Sequence, residues 1–445
     1  MQEGYPLTID LYELTMADSY LRRGRNERAV FELFVRPPVP GRRFLVAAGI
    51  EQALDYLEQL RFGEEELAYL RGLGMFSDDF LAYLSGFRFS GEVWAVREGE
   101  LVFPGEPLVR VEALRIEAQI VETYLLNVVN FHTLIASKAA RVRLAAGFSA
   151  SVADFSPRRD HGPGAALGVA YASYLAGLDG TSNVEAGRRL GVPVVGTMAH
   201  AYVMSFSSEL EAFRAFVADH PAPVLLIDTY DTLQGARHAL EVARELRAAG
   251  RELAGVRIDS GDLPSLTRRV RALFDEAGFP EVHIFISGDL DEYRIQAFLA
   301  AGGVADGYGV GTRLGTSYDL PALGGVYKLV EDASGARWKT SPGKRTLPGR
   351  KQVWRHRGED GAIHDVLALA DERLAGEALL ARRMREGRRL APAEPLAALR
   401  EHTLATLREL PEDLRVIAAD PKPEYPVELS EGLTALLRSF ERPGH

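Results

Sequence analysis

From about residue 148 the chain repeats one pattern. A short apolar run ends in a polar or glycine-rich cluster, and a helical pattern follows. The runs with their clusters are "SVADF" with "SPRRDHG", "LDGTSN", "VPVVGTMAH", "PVLLIDTYDT", "GVRIDSGD", "VHIFISGDL" and "DGYGVGTRLG". They recur mostly 23 to 31 residues apart, with one interval near 15. Segments such as "DTLQGARHALEVARELRAAG" and "DLPSLTRRVRALFDEAG" fill the gaps with helix periodicity. Repeated strand–helix units of about 30 residues imply a parallel sheet. Seven in a row predict a sheet that curls into an α/β barrel. In such barrels chemistry sits at the carboxyl ends of the strands, where all seven polar clusters fall.

The flanking segments read differently. "DLYELTMADSYLRRG" predicts an amphipathic helix with Leu11, Leu14, Met16 and Tyr20 on one face. "FSGEVWAVREGELVFPGEPLVRVEA" alternates around Gly and Pro turns and predicts short antiparallel strands. A long helical pattern follows from Arg115. The last ninety or so residues read as mainly helical, with Pro-rich breaks, packing back on the rest. The expected division is 1–147, an N-terminal α/β domain; 148–335, the barrel; and 336–445, a basic loop segment with a helical tail.

With 445 residues the chain has room for one large α/β domain and a smaller companion. It has no cysteine, which excludes disulfides, thiolate nucleophiles and Cys-bound metal. No apolar run reaches the ~20 residues that span a bilayer, and no signal-peptide pattern is seen at the start. The expectation is a cytoplasmic enzyme. A net charge of −10 argues against general nucleic-acid binding. One segment runs against that charge: from Arg337 to Arg357 there are eight cations and no acid. It reads either as a solvated basic loop or as a local polyphosphate site.

A histidine after a strand is usually structural, but His200 is one of seven groups aimed at a single rim, which favours a working role. Glycines in "SGDL" and "GVGTRLG", the last two clusters, allow backbone N–H groups to approach an anion. Barrels commonly hold phosphate there; the plain alternative is that glycine makes turns. Arg257 and Asp259 lie two residues apart, hence on one side of a strand. They can serve an anion and a sugar hydroxyl, or simply pair with each other. Phe155 offers a stacking platform beside Arg158, Arg159 and His161. A sugar phosphate, a planar anionic ring and a histidine together suggest chemistry at an anomeric carbon, through an oxocarbenium-like state. A barrel aldolase or isomerase is the reading from another class, although no strand end carries a Schiff-base lysine.

Taken together, "LTIDLYELTMADSY", "FSPRRDHGP", "GTSNVEAGRRLGVPVVGTMAHAYVMSF", "LLIDTYDT", "RIDSGDL", "ISGDLDEYRI", "GVGTRLGTSYDLPALGGVYKLVE" and "KTSPGKRTLPGRKQVWR" resemble the nicotinate phosphoribosyltransferases, in family order over nearly the whole chain. The resemblance implies an irregular TIM-like α/β barrel with an additional α/β domain formed by N- and C-terminal segments. It implies a homodimer with composite sites, and a reaction joining nicotinate to phosphoribosyl pyrophosphate. It further implies Mg2+ and coupling to ATP through a phosphorylated histidine, which falls on His200. By the same resemblance Thr197 meets nicotinate and Arg257 its carboxylate. Asp259 meets the ribose, and Phe155 and Tyr12 sandwich the pyridine, Tyr12 coming from a second subunit. Arg158, Gly288, Gly311 and Thr312 match the phosphoribosyl and phosphate contacts. Ala201 departs from the serine often found after that histidine. The nicotinamide-specific relatives resemble the chain in the same places but carry aspartate where Ser182 stands, and a serine suits a carboxylate substrate better.

Overall fold

The structure is a computed structural model that describes residues 5–339, 346–358 and 362–441. The chain divides into two compact units, Lys138–Pro321, and Met1–Ser137 together with Ala322–His445. The joins read from sequence, at 147/148 and 335/336, lie slightly further along the chain.

The Lys138–Pro321 unit holds six parallel strands: β1 (Ser151–Asp154), β2 (Gly180–Thr181), β3 (Val224–Leu226), β4 (Gly255–Ile258), β5 (His283–Ile286) and β6 (Gly307–Val310). Their order is β2-β1-β6-β5-β4-β3. The helices Pro163–Leu175, Val184–Leu190, Glu209–Asp219, Thr232–Ala248, Leu263–Glu276 and Glu292–Ala300 alternate with them. Ser208 caps one of these helices, its Oγ accepting the Glu211 N–H at 3.2 Å. Leu225, Val256, Ile258 and Ile284 from the strands, with Ile227 just past β3, pack against Ala239, Val242, Val270 and Phe274 from the helices. That burial fixes the carboxyl ends of β3, β4 and β5 side by side.

The seventh expected strand, "VPVVG", is not a regular strand. Only Val194 bridges to Thr181, and Val194 and Val195 are exposed. The segment has a hydrogen-bonded neighbour on one side alone, so the barrel is irregular at that point. His200 accordingly does not end a strand; it begins the short helix His200–Met204.

In the other unit, distant parts of the chain share one sheet. Arg28–Val35 pairs antiparallel with Gly325–Asp332 on one side and Pro107–Leu114 on the other. Glu92–Ala95 and Ala381–Arg385 extend it. The first helix, Leu11–Arg22, buries Glu13, Leu14, Ala17 and Asp18 and exposes Leu11, so its inward face is partly acidic and not the apolar stripe expected.

The expectation of a mainly helical tail is wrong. Lys351–Arg357 and Ile363–Leu369 are antiparallel partners, with Val427–Leu429 alongside, and only Leu396–Glu409 and Glu431–Glu441 are long helices. The strand pattern was hidden because two of the buried positions are charged. Lys351 is paired with Glu32 at 2.8 Å, and Arg355 with Asp365 at 2.6 Å and Glu100 at 2.9 Å. These pairs, with Arg337–Asp332 and Arg350–Glu331, also engage much of the basic segment. Among the described residues it is therefore not a free polyphosphate cradle; Lys344 and Arg345 lie outside the described residues.

Candidate active site

The site is built where β1, β4 and β5 end. Phe155 follows β1, its N–H donating to the Val310 carbonyl at 2.8 Å. Its ring lies against Gly309, where a Cβ would come within 2.4 Å of it, so only glycine lets the ring settle over β6. Arg257, on β4, brings its guanidinium to 6.0 Å from the ring centroid. Its Nη1–H donates to Thr197 Oγ1 at 2.7 Å. The pairing with Asp259 weighed from sequence is loose, at 3.8 Å, and Nε is buried with no hydrogen-bond partner. Burial and the charge of Arg158 lower the Arg257 pKa, while Asp259 and Asp228 oppose that shift. A mostly buried guanidinium with Nε unpaired is prepared for an anion.

Asp259 is held from three sides. Its N–H donates to Asp228 Oδ2 at 2.9 Å, and Ser287 donates its hydroxyl to Asp259 Oδ1. Gly288 is left-handed (φ +94°), and a Cβ there would stand 2.1 Å from the Asp259 carbonyl oxygen. The next residue, Asp289, is left-handed too, at φ 52°. Gly311 precedes the helix Thr312–Gly315, with room for a Cβ only 3.2 Å from the Phe155 carbonyl oxygen. Arg158 is exposed, and Ser182 donates its N–H to the Asp154 carbonyl at 2.9 Å. His200 Nδ1 lies 3.1 Å from Thr229 Oγ1.

Phe155, Thr197, Arg257, Asp259 and Gly288 thus form one connected group, and His200 stands three residues beyond Thr197 at the start of its short helix. Tyr12 belongs to the other unit. It is half-exposed, and partial burial together with Glu122 and Glu13 raises its phenol pKa. Sequence reasoning missed Asp228, Thr229, Ser260 and Ser287. Asp228 Oδ2 also accepts from Ser260 Oγ at 2.7 Å, and its Oδ1 is buried without a hydrogen-bond partner. The signal was present, since Asp228 and Ser287 directly follow apolar runs and Thr229 and Ser260 come one residue later. Among the described residues no three His, Asp or Glu side chains gather to hold a metal. Nor is any described helix long and apolar enough to cross a membrane.

A parallel α/β barrel with its polar groups at the strand ends, together with an α/β unit drawn from both chain termini, is the fold of the type II phosphoribosyltransferases. The human nicotinic acid phosphoribosyltransferase structure aligns with a TM-score of 0.85 at 31% identity, covering 97% of this chain and 99% of that one. Residues 7–130 match the nicotinate phosphoribosyltransferase N-terminal domain, and residues 150–328 match the nicotinate phosphoribosyltransferase family. Nicotinate phosphoribosyltransferase pncB2 of Mycobacterium tuberculosis is 46% identical over 97% of this chain and 93% of its own length. The Bacillus subtilis nicotinate phosphoribosyltransferase is 43% identical over 84% of this chain and 78% of its own. The chain belongs to the nicotinate phosphoribosyltransferase family and is an enzyme of NAD salvage.

Proposed function

We propose that the group around Arg257 binds nicotinate and the glycine-bearing ends of β5 and β6 bind phosphoribosyl pyrophosphate. The single observation that carries the reading is Arg257, mostly buried beside the Phe155 ring, hydrogen-bonded to Thr197 and with Nε free of a hydrogen-bond partner. In this reading the pyridine stacks on Phe155 and its carboxylate meets Arg257 and Thr197. Asp259, steadied by Ser287 and Asp228, accepts from the ribose hydroxyls. Gly288, Gly311 and Thr312 offer backbone N–H groups to phosphate, and Arg158 adds charge from solvent. The ring nitrogen then forms its bond to the anomeric carbon as the C–O bond to pyrophosphate breaks, with the electron pair leaving on that oxygen. His200 accepts a phosphoryl group from ATP and couples its hydrolysis to synthesis. Mg2+ has no dedicated cage among the described residues and would arrive on the diphosphate with few protein ligands. The lack of cysteine suits a cytoplasmic setting.

Substrate choice tests the Arg257 reading. Nicotinate should be used well and nicotinamide poorly. Ser182→Asp should lower kcat/KM for nicotinate by about tenfold or more, because a second carboxylate in a partly dry pocket repels the first. Equal turnover of nicotinamide and nicotinate by the unaltered enzyme would sink the assignment.

The family expectation of a homodimer places Tyr12 on the pyridine of a second copy. Tyr12→Ala and His200→Ala proteins, each without ATP-coupled synthesis alone, should regain part of it when mixed under conditions of subunit exchange. Mixed dimers isolated and found inactive would place each site within one chain.

A further inference from the structure

Ser156 has one hydroxyl proton and two carboxylates within reach. Its Oγ lies 2.6 Å from Asp154 Oδ1 and 3.0 Å from Asp160 Oδ2. Ionised carboxylates only accept, so with both ionised one of these contacts lacks a proton. Burial raises the Asp154 carboxyl too, but three hydrogen bonds oppose it, from the Ser156 hydroxyl, the Ser156 N–H and the Thr181 hydroxyl, so Asp154 is the better placed to remain ionised. Its Oδ1 also takes the Ser156 N–H at 2.8 Å, and its Oδ2 takes the Thr181 hydroxyl at 2.8 Å. Asp160 Oδ1, by contrast, is buried with no hydrogen-bond partner. A bare charged oxygen there costs more than a neutral carbonyl. Burial pushes Asp160 up to about 6; the Ser156 hydroxyl opposes the shift, Asp154 adds to it and His161 lowers it. The helix Thr312–Gly315 packs here through Gly315, where a Cβ would stand 2.0 Å from Asp160 Oδ1, and its one charged residue, Arg313, pairs with Asp291 at 3.1 Å.

We propose that Asp160 is a positioning residue for the nicotinate platform. Protonated, it donates to Ser156, which donates to Asp154, which also holds Thr181. That chain locks the turn carrying Phe155 and Arg158, a turn otherwise held by Arg159 N–H to Ser156 O at 2.6 Å and Gly162 N–H to Asp160 O at 2.8 Å. The inference rests on the reading of Phe155 and Arg158 as substrate contacts. Loss of the Asp160 proton sets two carboxylates against one hydroxyl, and the turn loosens. Because the locked turn prefers the protonated acid, the lock is complete below the ordinary aspartate range. It weakens as pH rises through about 6.

The test is the KM for nicotinate in the full-length enzyme from about pH 5.5 to about pH 8, compared between variants so that titration of the substrates cancels. The unaltered enzyme should show KM rising about fivefold relative to Asp160→Asn, with kcat changing less. Asp160→Asn donates an amide N–H to Ser156 at every pH and should stay low; Ser156→Ala has no shared hydroxyl and should stay high at every pH. If Phe155→Ala leaves the nicotinate KM unchanged, the platform reading fails. If Phe155→Ala raises it but Asp160→Asn follows the unaltered profile, the Asp160 inference fails. Carboxyl-carbon NMR decides the shared proton independently of activity. A midpoint near 6 that disappears in Asp160→Asn supports it, and one near 4 overturns it.

Discussion

His200→Asn should lose phosphoryl transfer from ATP by at least about a thousandfold while keeping some ATP-independent synthesis. A neutral imidazole presents a ring lone pair that attacks phosphorus directly. Asparagine keeps a polar group of similar reach but has no such nitrogen. Thr229 Oγ1 at 3.1 Å holds the Nδ1 side of the ring, and His200 starts its own short helix, so its position is set by the backbone as well as by this contact. Apart from Thr197, the groups proposed to hold nicotinate and the phosphoribosyl moiety sit on other segments than His200, which is why some transfer should survive. Incubation with γ-labelled ATP should leave acid-labile, base-stable label on the unaltered protein and none on the variant. Label persisting on His200→Asn would remove His200 as the acceptor.

Gly288→Ala should be nearly as damaging, for a steric reason. The added methyl would begin 2.1 Å from the Asp259 carbonyl oxygen, on a residue whose φ of +94° side chains rarely adopt. The ends of β4 and β5 must then part, carrying Asp259 away from Ser287. The expected cost is about 2–4 kcal/mol of stability. The kcat/KM for phosphoribosyl pyrophosphate should fall by about a hundredfold or more, with a smaller effect on nicotinate affinity. Gly311→Val is the graded comparison. Its backbone is not left-handed and the nearest oxygen is 3.2 Å from a Cβ, so it should fold more normally and still weaken the phosphoribosyl substrate. Kinetics and thermal unfolding unchanged in Gly288→Ala would mean that the strand ends are not in the contact described.

Much of the barrel was legible because its information is local. A run such as "GVRIDSGD" carries its strand, its carboxyl end and the common side of Arg257 and Asp259 within a few residues. The rim position of His200, Phe155 and Gly288 followed from the same repeat. The errors arose where local pattern and burial disagree. Lys351 and Arg355 are buried through ion pairs, so the tail's strands carry no apolar alternation. "VPVVG" is apolar yet exposed at Val194 and Val195, because it lacks a second neighbouring strand.

The sequence by itself determined six of the seven expected strands in chain order, the parallel barrel and the family. The tertiary structure decided which groups meet. Thr197 and Arg257 are 60 residues apart, and the Asp228 carboxylate and the Asp259 N–H are 31 apart. Ser287 reaches Asp259, and Thr229 reaches His200, only because β5 and β3 flank β4 and because the helix of His200 begins beside the end of β3. Periodicity is a property of neighbours along the chain, whereas these contacts depend on sheet order and register, which are settled when the barrel core packs.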